Sequence, residues 1–503
     1  MRFKIVSLIL LFSLSTVGLA KDYYVSDSLT LQNSITSLAC GDNVILQNGN
    51  YINTKLSLEM NCSASLPIVI KAENPGMAFF SGDMAIAIPG KYYTLSGLSF
   101  IRNPGGITRT ASKAHLITVT GRFNRITNTK FDDIDDVEGV WVLLNGKNNR
   151  VDHSYFANKS SVHSYINMDI DPAVISYHLV DHNYFSRPLL GSNGGSASRV
   201  GHGSMHNYRA RIIFEYNLFE NEDGESEIVS VKSSENIFRY NTFKNSRGHL
   251  SLRQGQRSLV YDNYFLGNSV AKERGIFIRG EDHVIFNNYF SDLRPTASET
   301  DYGSVCFGAS STTPDPARAA IGLNPYHYPL TKNVLFANNT LINGYYSNIS
   351  IGCQWDLTDP KNRTTLPESL RFANNLIINN SRQVDASAVA VNQHSSAIDI
   401  LWSNNYFDTA NAGITDGGLM RTTLPLYNDA TANILMPSVP TTASSTELST
   451  WIDNIPLDTR WVENNNLISR IKNTTAVGFE IPIDPRSMQR VLPLSRTEVG
   501  TNF

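Results

Sequence analysis

The 503-residue chain lacks an excess of positive charge, with 42 Lys and Arg against 45 Asp and Glu and a formal net charge of −3. A surface that attracts nucleic acid through its bulk charge is therefore not predicted. An anionic partner would have to be held by a local cluster of cations.

Long apolar runs are missing beyond the first 20 residues. The N-terminus carries Arg2 and Lys4, an apolar run to Val17, and then Gly18 and Ala20 at positions that suit cleavage after Ala20. We expect residues 1–20 to be a signal peptide, whose removal takes the formal net charge from −3 to −5. No later run reaches the about 18 apolar residues of a membrane span. We therefore expect no membrane insertion and a periplasmic or secreted location.

Cysteine is scarce, and four residues allow three disulfide pairings among which the sequence cannot choose. In an exported protein the expected pairs are Cys40 with Cys62 and Cys306 with Cys353. Four buried thiols are the alternative, because a chain of this length can form a core without disulfides.

The sequence contains an internal repeat in which an apolar stretch precedes a four-residue unit such as HNYF, YNTF or NNYF. Successive units are mostly 22 to 36 residues apart, and one interval of 51 residues suggests a coil with a long loop. A period of this size is typical of a solenoid. The units end at Phe131, Phe156, Phe185, Phe219, Phe243, Phe265, Phe290, Leu341, Ile377 and Phe407.

The stretches between the units predict strands, since they are short, rich in β-branched and aromatic residues, and bounded by Asn, Asp or Gly. Eight units have Asn at the second position, which predicts a ladder of stacked amides at one corner of the coils. The fold prediction is an all-β, right-handed parallel β-helix with Phe stacked inside. The ladder residues are Asn183, Asn217, Asn241, Asn263, Asn288, Asn339, Asn375 and Asn405.

The repeat also sets the expected domain boundaries. It extends less regularly toward the N-terminus and fades after Leu419. We expect residues 21–419 to form the β-helix and residues 420–503 to form a C-terminal cap, with a flexible appendage as the alternative. The sequence gives no indication of oligomeric state.

Three cations occupy equivalent positions in successive coils. Lys232, Arg253 and Arg279 come eleven or twelve residues before successive repeat Phe residues, so they are predicted to form one column. Strand alternation directs Leu250 and Leu252 inward and His249, Ser251 and Arg253 outward. The outward acids Glu225 and Glu227 have the opposite parity to Lys232, which predicts a bend or a β-bulge near Ser230 or Val231.

Oxygen ligands are expected near this column. Asn193 and Glu227 lie eight residues after successive repeat Phe residues, and Glu225 shares the strand face of Glu227. One amide and two carboxylates suit Ca²⁺, a hard cation. The alternative is a pair of surface acids bonded to neighbouring Lys or Arg. A cation column beside a metal site would suit an anionic partner such as a uronate polymer.

The segments HNYFSRPLLGSNGG, ESEIVSVKSSENIFRYNTF, GHLSLRQG and GIFIRGEDHVIFNNYF, with the N-terminal GDNVILQNGNY, resemble polysaccharide lyase family 6, which includes chondroitinase B and one group of alginate lyases. The resemblance implies β-elimination assisted by Ca²⁺. It makes Lys232 the base, Arg253 the proton donor or its electrostatic partner, and Asn193, Glu225 and Glu227 the metal ligands.

Further side chains are candidates for gripping an anionic polysaccharide, with alginate favoured and dermatan or chondroitin sulfate as the alternatives. A β-helix glycosidase, which would use Glu225 and Glu227 as its carboxylates, and a non-catalytic glycan-binding protein are the competing interpretations. The candidate substrate-binding residues are Lys159, Arg187, Tyr208, His249, Arg279 and His283.

Overall fold

The computed structural model describes residues 20–503 except 103–106, 109–114, 135–138, 192, 296–302, 312, 357, 359–362, 380–386, 392–398, 439–444, 464–465 and 502. The predicted signal peptide therefore lies almost wholly outside the described residues. Within them, no helix is long and apolar enough to span a membrane.

The chain winds through three parallel sheets in turn, which confirms the right-handed parallel β-helix. We name them sheets A, B and C in the order in which each coil passes through them. Sheet A consists of Asp22–Val25, Asn43–Leu46, Ile68–Ala72, Tyr93–Ser96, Arg125–Thr127, Arg150–Asp152, Leu179–Asp181, Ile213–Glu215, Ile237–Arg239, Leu259–Tyr261, Val284–Phe286, Lys332–Ala337, Glu368–Ala373 and Ile400–Ser403.

Sheet B carries the repeat units and buries their Phe side chains. The rings from Phe100 to Phe290 stack on successive coils with centroids 4.6 to 5.2 Å apart. Its strands are Gly49–Ile52, Ala78–Asp83, Leu98–Ile101, Ile107–Thr108, Lys130–Asp132, Tyr155–Ala157, Tyr184–Arg187, Leu218–Glu222, Thr242–Lys244, Tyr264–Leu266, Tyr289–Ser291, Thr340–Ile342, Leu376–Ile378, Asn405–Asp408 and Leu419–Arg421.

Sheet C positions the residues of the predicted site. Its strands are Lys55–Ser57, Ala85–Ile88, Ile117–Val119, Val142–Leu144, Ile166–Met168, Ser198–Val200, Glu227–Val231, His249–Leu252, Ile276–Ile278, Val305–Gly308, Ser347–Cys353 and Ser387–Val391.

The Asn ladder lies at the corner between sheets A and B. Each ladder amide donates to the side-chain oxygen of the next, as in the 3.0 Å bond from Asn241 Nδ2 to Asn263 Oδ1 and the 2.9 Å bond from Asn263 Nδ2 to Asn288 Oδ1. The positive φ falls on the residue before each Asn, for example Tyr240 and Asp262, and not on the Asn itself. The ladder thus forms as predicted, with the left-handed residue one position earlier.

The 51-residue interval contains one coil, because Phe290 pairs directly with Leu341. Its extra length forms a loop between Gly308 and Lys332 that includes the helix Pro316–Ala320 and the strand Ser310–Ser311, which pairs with Arg363–Thr365.

The remaining elements lie on the outside of the coils. At the N-terminus, Asp27 caps the helix Ser28–Ile35, and Leu31 of that helix joins the core. C-terminal helices pack on sheet A, and the segment around Phe479 packs on sheet B. These elements are the helices Ser445–Asp453, Thr459–Glu463 and Leu467–Lys472, the 3-10 turn Gly203–Met205, and the paired strands Leu426–Asp429 with Ile434–Pro437 and Ile483–Asp484 with Gln489–Arg490.

Both expected disulfides are present, Cys40 with Cys62 and Cys306 with Cys353. The second packs against Phe277 on the outer face of sheet C.

Candidate active site

Two adjoining cavities open on the outer face of sheet C. The larger, about 440 Å³, includes Arg253 and Arg279, and the smaller, about 120 Å³, includes Lys232. Asn193, Glu225 and Glu227 line both cavities. We refer to the two cavities together as the cleft, and it brings the predicted catalytic and metal-binding residues to one place.

A β-bulge makes this arrangement possible, but it lies earlier than predicted. Glu227 pairs with His249 and Val229 with Leu250, so the extra residue is Ile228 and not Ser230 or Val231. The side chains of Ile228 and Val229 are both buried in the core. Because the bulge adds one residue to the strand, Glu227, Ser230 and Lys232 can all face the same side of sheet C.

The three cations form the predicted column. Val231, Leu252 and Ile278 occupy the same position in neighbouring strands, and Lys232, Arg253 and Arg279 directly follow them. Lys232 is partly exposed. Burial lowers the pKa of its ammonium, and Arg253 and Arg199 lower it further against the opposing effect of Glu227. Lys232 is therefore easier to deprotonate than an ordinary lysine.

Arg253 is held between a carboxylate and an aromatic ring. Its Nε lies 3.4 Å from Glu227 Oε1, and its guanidinium lies 4.9 Å from the Tyr328 ring centroid. Tyr328 belongs to the long loop after Gly308, and it also contacts Arg279, whose guanidinium is 4.2 Å from the ring centroid. The loop thus packs against the two arginines at the edge of the cleft.

The two acids have different environments. Burial raises the pKa of Glu225, and the charge of Glu227 raises it further, although Gly194 N–H donates to Glu225 Oε2 at 2.7 Å. Burial also acts to raise the pKa of Glu227, but Arg253 and Lys232 outweigh it and the pKa lies below its usual value. Two neighbouring, partly buried carboxylates of this kind favour a nearby cation.

These oxygens fit a hard cation in part. Among the described residues, no three His, Cys, Asp or Glu side chains come together as a metal site. The oxygen donors that line both cavities are the two carboxylates and the exposed Asn193 amide. A bound Ca²⁺ would therefore need water or substrate oxygens to complete its six to eight ligands. The alternative interpretation, in which surface acids bond to neighbouring cations, also predicts an ion pair such as the one between Glu227 and Arg253.

His249 and Arg279 line the larger cavity but are nearly covered. Burial and the charge of Arg274 lower the pKa of His249 to about 3, so the imidazole is neutral. Arg279 donates to Ala309 O at 3.0 Å and to Gln354 Oε1 at 2.7 Å. Alternation predicted an outward His249 and the column predicted an exposed Arg279, but both side chains are buried.

Lys159 and Arg187 were predicted to bind an anionic polymer at the surface, but both side chains are buried. Lys159 is fully buried, and its Nζ donates to Ser161 Oγ at 2.8 Å. Arg187 is 1% exposed and donates to the carbonyls of Lys159, His163 and Ser196. An arginine with several backbone acceptors holds its connecting segments in place.

His283 is also structural, which corrects its assignment to substrate binding. It is fully buried between an acceptor and a donor, with Nε2 3.1 Å from Arg279 O and Nδ1 accepting from Ser258 N–H at 3.0 Å. In the same corner position of other coils, Asn149 Oδ1 and His178 Nδ1 accept equivalent backbone bonds. His283 therefore replaces Asn in a second corner ladder, between sheets C and A.

Tyr208 is partly buried against the edge of the core and does not line the cleft. Arg199 and Asn167, which were not predicted, do line it. Arg199 pairs in register with Ser230, and Asn167 pairs with Arg199, so a comparison of the Ser230 position over the two preceding coils could have found both. Tyr328 comes from the long loop and Gln354 follows Cys353, and neither belongs to a repeated position.

The fold and the cleft define a parallel β-helix protein in which cations and carboxylates share one groove. The family model described as Chondroitinase B matches residues 25–445, and the chain belongs to this family. No curated protein sequence matches it.

Solved structures establish the same fold. The PL6 family alginate lyase AlyGC is 23% identical with a TM-score of 0.75, over 96% of this chain and 58% of AlyGC. A mannuronic acid specific polysaccharide family 6 lyase from human gut microbiota is 24% identical with a TM-score of 0.67, over 89% of this chain and 99% of that one. A PL6 family polysaccharide lyase from Pseudopedobacter saltans is 22% identical with a TM-score of 0.69, over 96% and 99%.

Proposed function

We propose that this protein is a polysaccharide lyase that cleaves a uronate-containing glycan by β-elimination, with alginate as the first candidate substrate. The observation that carries the proposal is the placement of Lys232, with its lowered pKa, beside Arg253 and the Glu225 and Glu227 carboxylates in one cleft. Membership of the Chondroitinase B family supports the reaction class.

In the proposed reaction, neutral Lys232 Nζ takes the C5 proton of the uronate. The electrons of the C5–H bond become the C4–C5 double bond, and the C4–O bond breaks with its electron pair on the leaving oxygen. Arg253 orients that oxygen, because a guanidinium donates hydrogen bonds well but is a poor acid. Water or the Lys232 ammonium then supplies the proton.

The proposal includes a bound calcium ion, because the cleft holds oxygen donors that suit it. Glu225, Glu227 and Asn193 would hold the ion, which would neutralise the substrate carboxylate next to C5. Glu227 would keep its ion pair with Arg253 while it also binds the ion. Burial raises the pKa of Glu225, and a nearby cation would stabilise its ionised carboxylate.

Alginate is favoured because the solved lyases with the same fold include an alginate lyase and a mannuronic acid specific enzyme. Dermatan or chondroitin sulfate is the second candidate, since the family model is described as Chondroitinase B. We place the protein in the periplasm or outside the cell, and its two disulfides support an oxidising compartment.

One assay tests the reaction and the substrate together. The protein is incubated separately with alginate, dermatan sulfate and chondroitin sulfate, and the ultraviolet absorbance of the unsaturated uronate product is followed alongside reducing ends. Both signals should rise together with alginate. Reducing ends without absorbance would indicate a hydrolase, and neither signal with any polymer would contradict a lyase.

The metal is tested by exhaustive chelation followed by titration with Ca²⁺. Activity should fall on chelation and return with calcium, and the Glu227→Ala variant should need a higher calcium concentration. Full activity of the chelated protein would contradict the calcium assignment while leaving the lyase assignment intact.

A further inference from the structure

A second group of cations lies on the N-terminal coils, outside the cleft. Lys91, Arg122 and Lys147 pair in parallel register at the corner between sheets C and A. Their backbones are therefore about 4.8 Å apart along the helix axis. With Tyr92 and Phe123, which follow the first two cations, they form what we call the basic strip.

The cations of the basic strip have no carboxylate partners among the residues that the structure describes. The Lys147 ammonium lies 5.5 Å from the centroid of the Tyr177 ring. Nearby cations behave differently, since Lys55 pairs with Asp83 and Arg125 pairs with Asp152. Like charges stacked on successive coils repel one another, and an anion bound along the strip would relieve this.

Two aromatic rings stack beside the cations of the basic strip. Tyr92 and Phe123 stack with centroids 4.8 Å apart and planes within 7°, and both have a φ of 60°. This left-handed conformation recurs at the same corner of the following coils, at Asn148 and Tyr177. Phe123 is 43% exposed. An exposed ring next to cations suits the apolar face of a sugar, because aromatic side chains bury a large apolar area on contact.

The strip is separate from the cleft. The strands that precede Lys147 and Lys232 are three coils apart, because Leu144 aligns with Met168, then Val200, then Val231. This is about 14 Å along the axis. The connections formed by residues 169–178 and 201–212 lie between the two sites.

We propose that the basic strip is a non-catalytic binding site for a uronate-bearing polysaccharide chain. Carboxylates of successive sugars contact Lys91, Arg122 and Lys147, and the apolar face of a sugar ring contacts Phe123. The register suits such a ligand because the spacing of the cations is close to the rise of one pyranose unit in an extended chain. The identity of the glycan rests on the proposed function, whereas the charge and register of the strip do not.

The strip would hold a polymer near the cleft on a protein whose overall charge repels anions. The formal net charge is −3, so long-range attraction does not bring the substrate to the surface. A local site raises the effective concentration of the chain at the cleft, and this benefits long substrates only.

The test compares two charge-matched variants. The strip variant carries Lys91→Ser, Arg122→Ser and Lys147→Ser, and the control carries Lys21→Ser, Lys71→Ser and Arg421→Ser, three exposed cations outside the strip. Retardation in native gels containing alginate gives the apparent Kd, and circular dichroism with Tm verifies folding. A Phe123→Ser variant tests the ring without changing charge.

We expect the strip variant to raise the Kd for polymeric alginate about tenfold at low salt, with a smaller effect for Phe123→Ser and none for the control. The rate on a uronate trisaccharide should not change. Equal retardation of the strip variant and wild type would overturn the proposal, as would an equal loss of rate on the trisaccharide. Retardation that depends on the strip, in a protein that cleaves no uronate polymer, would overturn only the proposed function.

Discussion

The Asn ladder and the cation column are both stacks of similar side chains on successive coils, but they differ in what satisfies them. Each ladder Asn both donates and accepts, so Asn263 is satisfied by the amides of Asn241 and Asn288 above and below it. The cations Lys232, Arg253 and Arg279 only donate, and they depend on Glu227, Tyr328 and Gln354 from elsewhere. A stack whose members satisfy one another's hydrogen bonds stabilises the fold. A stack whose members need partners from other segments indicates a binding site.

The largest expected effect is at Lys232. Lys232→Ala should lower the elimination rate roughly 10²–10⁴-fold, as removal of a general base does, while the protein stays folded. Lys232→Arg should be nearly as damaging, because guanidinium stays protonated near neutral pH. Initial rates from product absorbance, together with substrate Kd, measure both. A Lys232→Arg variant with most of its activity would show that the residue acts only as a positive charge.

A change in the ladder should affect stability instead of rate. Asn263→Ala removes the acceptor of Asn241 N–H and the donor to Phe238 O, and it should reduce the free energy of unfolding by about 2–4 kcal/mol. Denaturant unfolding measures this, with Asn50→Ala, an exposed amide, as the control. The rate at low temperature should be unchanged, and a stability equal to that of wild type would show that the ladder contributes little.

The Cys306–Cys353 disulfide should act on the column indirectly. It packs against Phe277, and Cys353 precedes Gln354, which accepts a hydrogen bond from Arg279. The double variant Cys306→Ser, Cys353→Ser should lower kcat/KM about tenfold, since small displacements in a site are costly. The matched pair Cys40→Ser, Cys62→Ser should affect only Tm, and equal rate losses in the two pairs would contradict the proposed link.

The smallest effect concerns a buried acid close to the cleft wall. Burial raises the pKa of Glu273 to about 7 from the ordinary 4.5. The folded protein then binds a proton that the unfolded chain has lost, so the stability from this group is complete below about pH 4.5 and is lost as the pH rises through 7. Glu273→Gln should remove this pH dependence of the free energy of unfolding. Unfolding measured between the two pH values tests it, and an unchanged slope would contradict it.

The sequence by itself determined the architecture and the register. The repeat of Phe and Asn at fixed offsets predicted the coils, the stack and the ladder, because side chains at equal positions on neighbouring coils must meet. The same offsets brought Lys232, Arg253 and Arg279 into one column and Asn193, Glu225 and Glu227 into one cleft.

Only the tertiary structure decided which side chains at the site are buried and where the bulge changes the face on which they lie. Strand alternation fixes the face on which a side chain lies, but covering by other segments decides whether it meets solvent. Lys159, Arg187 and His283 are outside the core stack and yet buried, since connecting segments and corner hydrogen bonds enclose them. The bulge at Ile228 and the contact of Tyr328 with Arg253 likewise depend on packing between distant segments, which carries no period in the sequence.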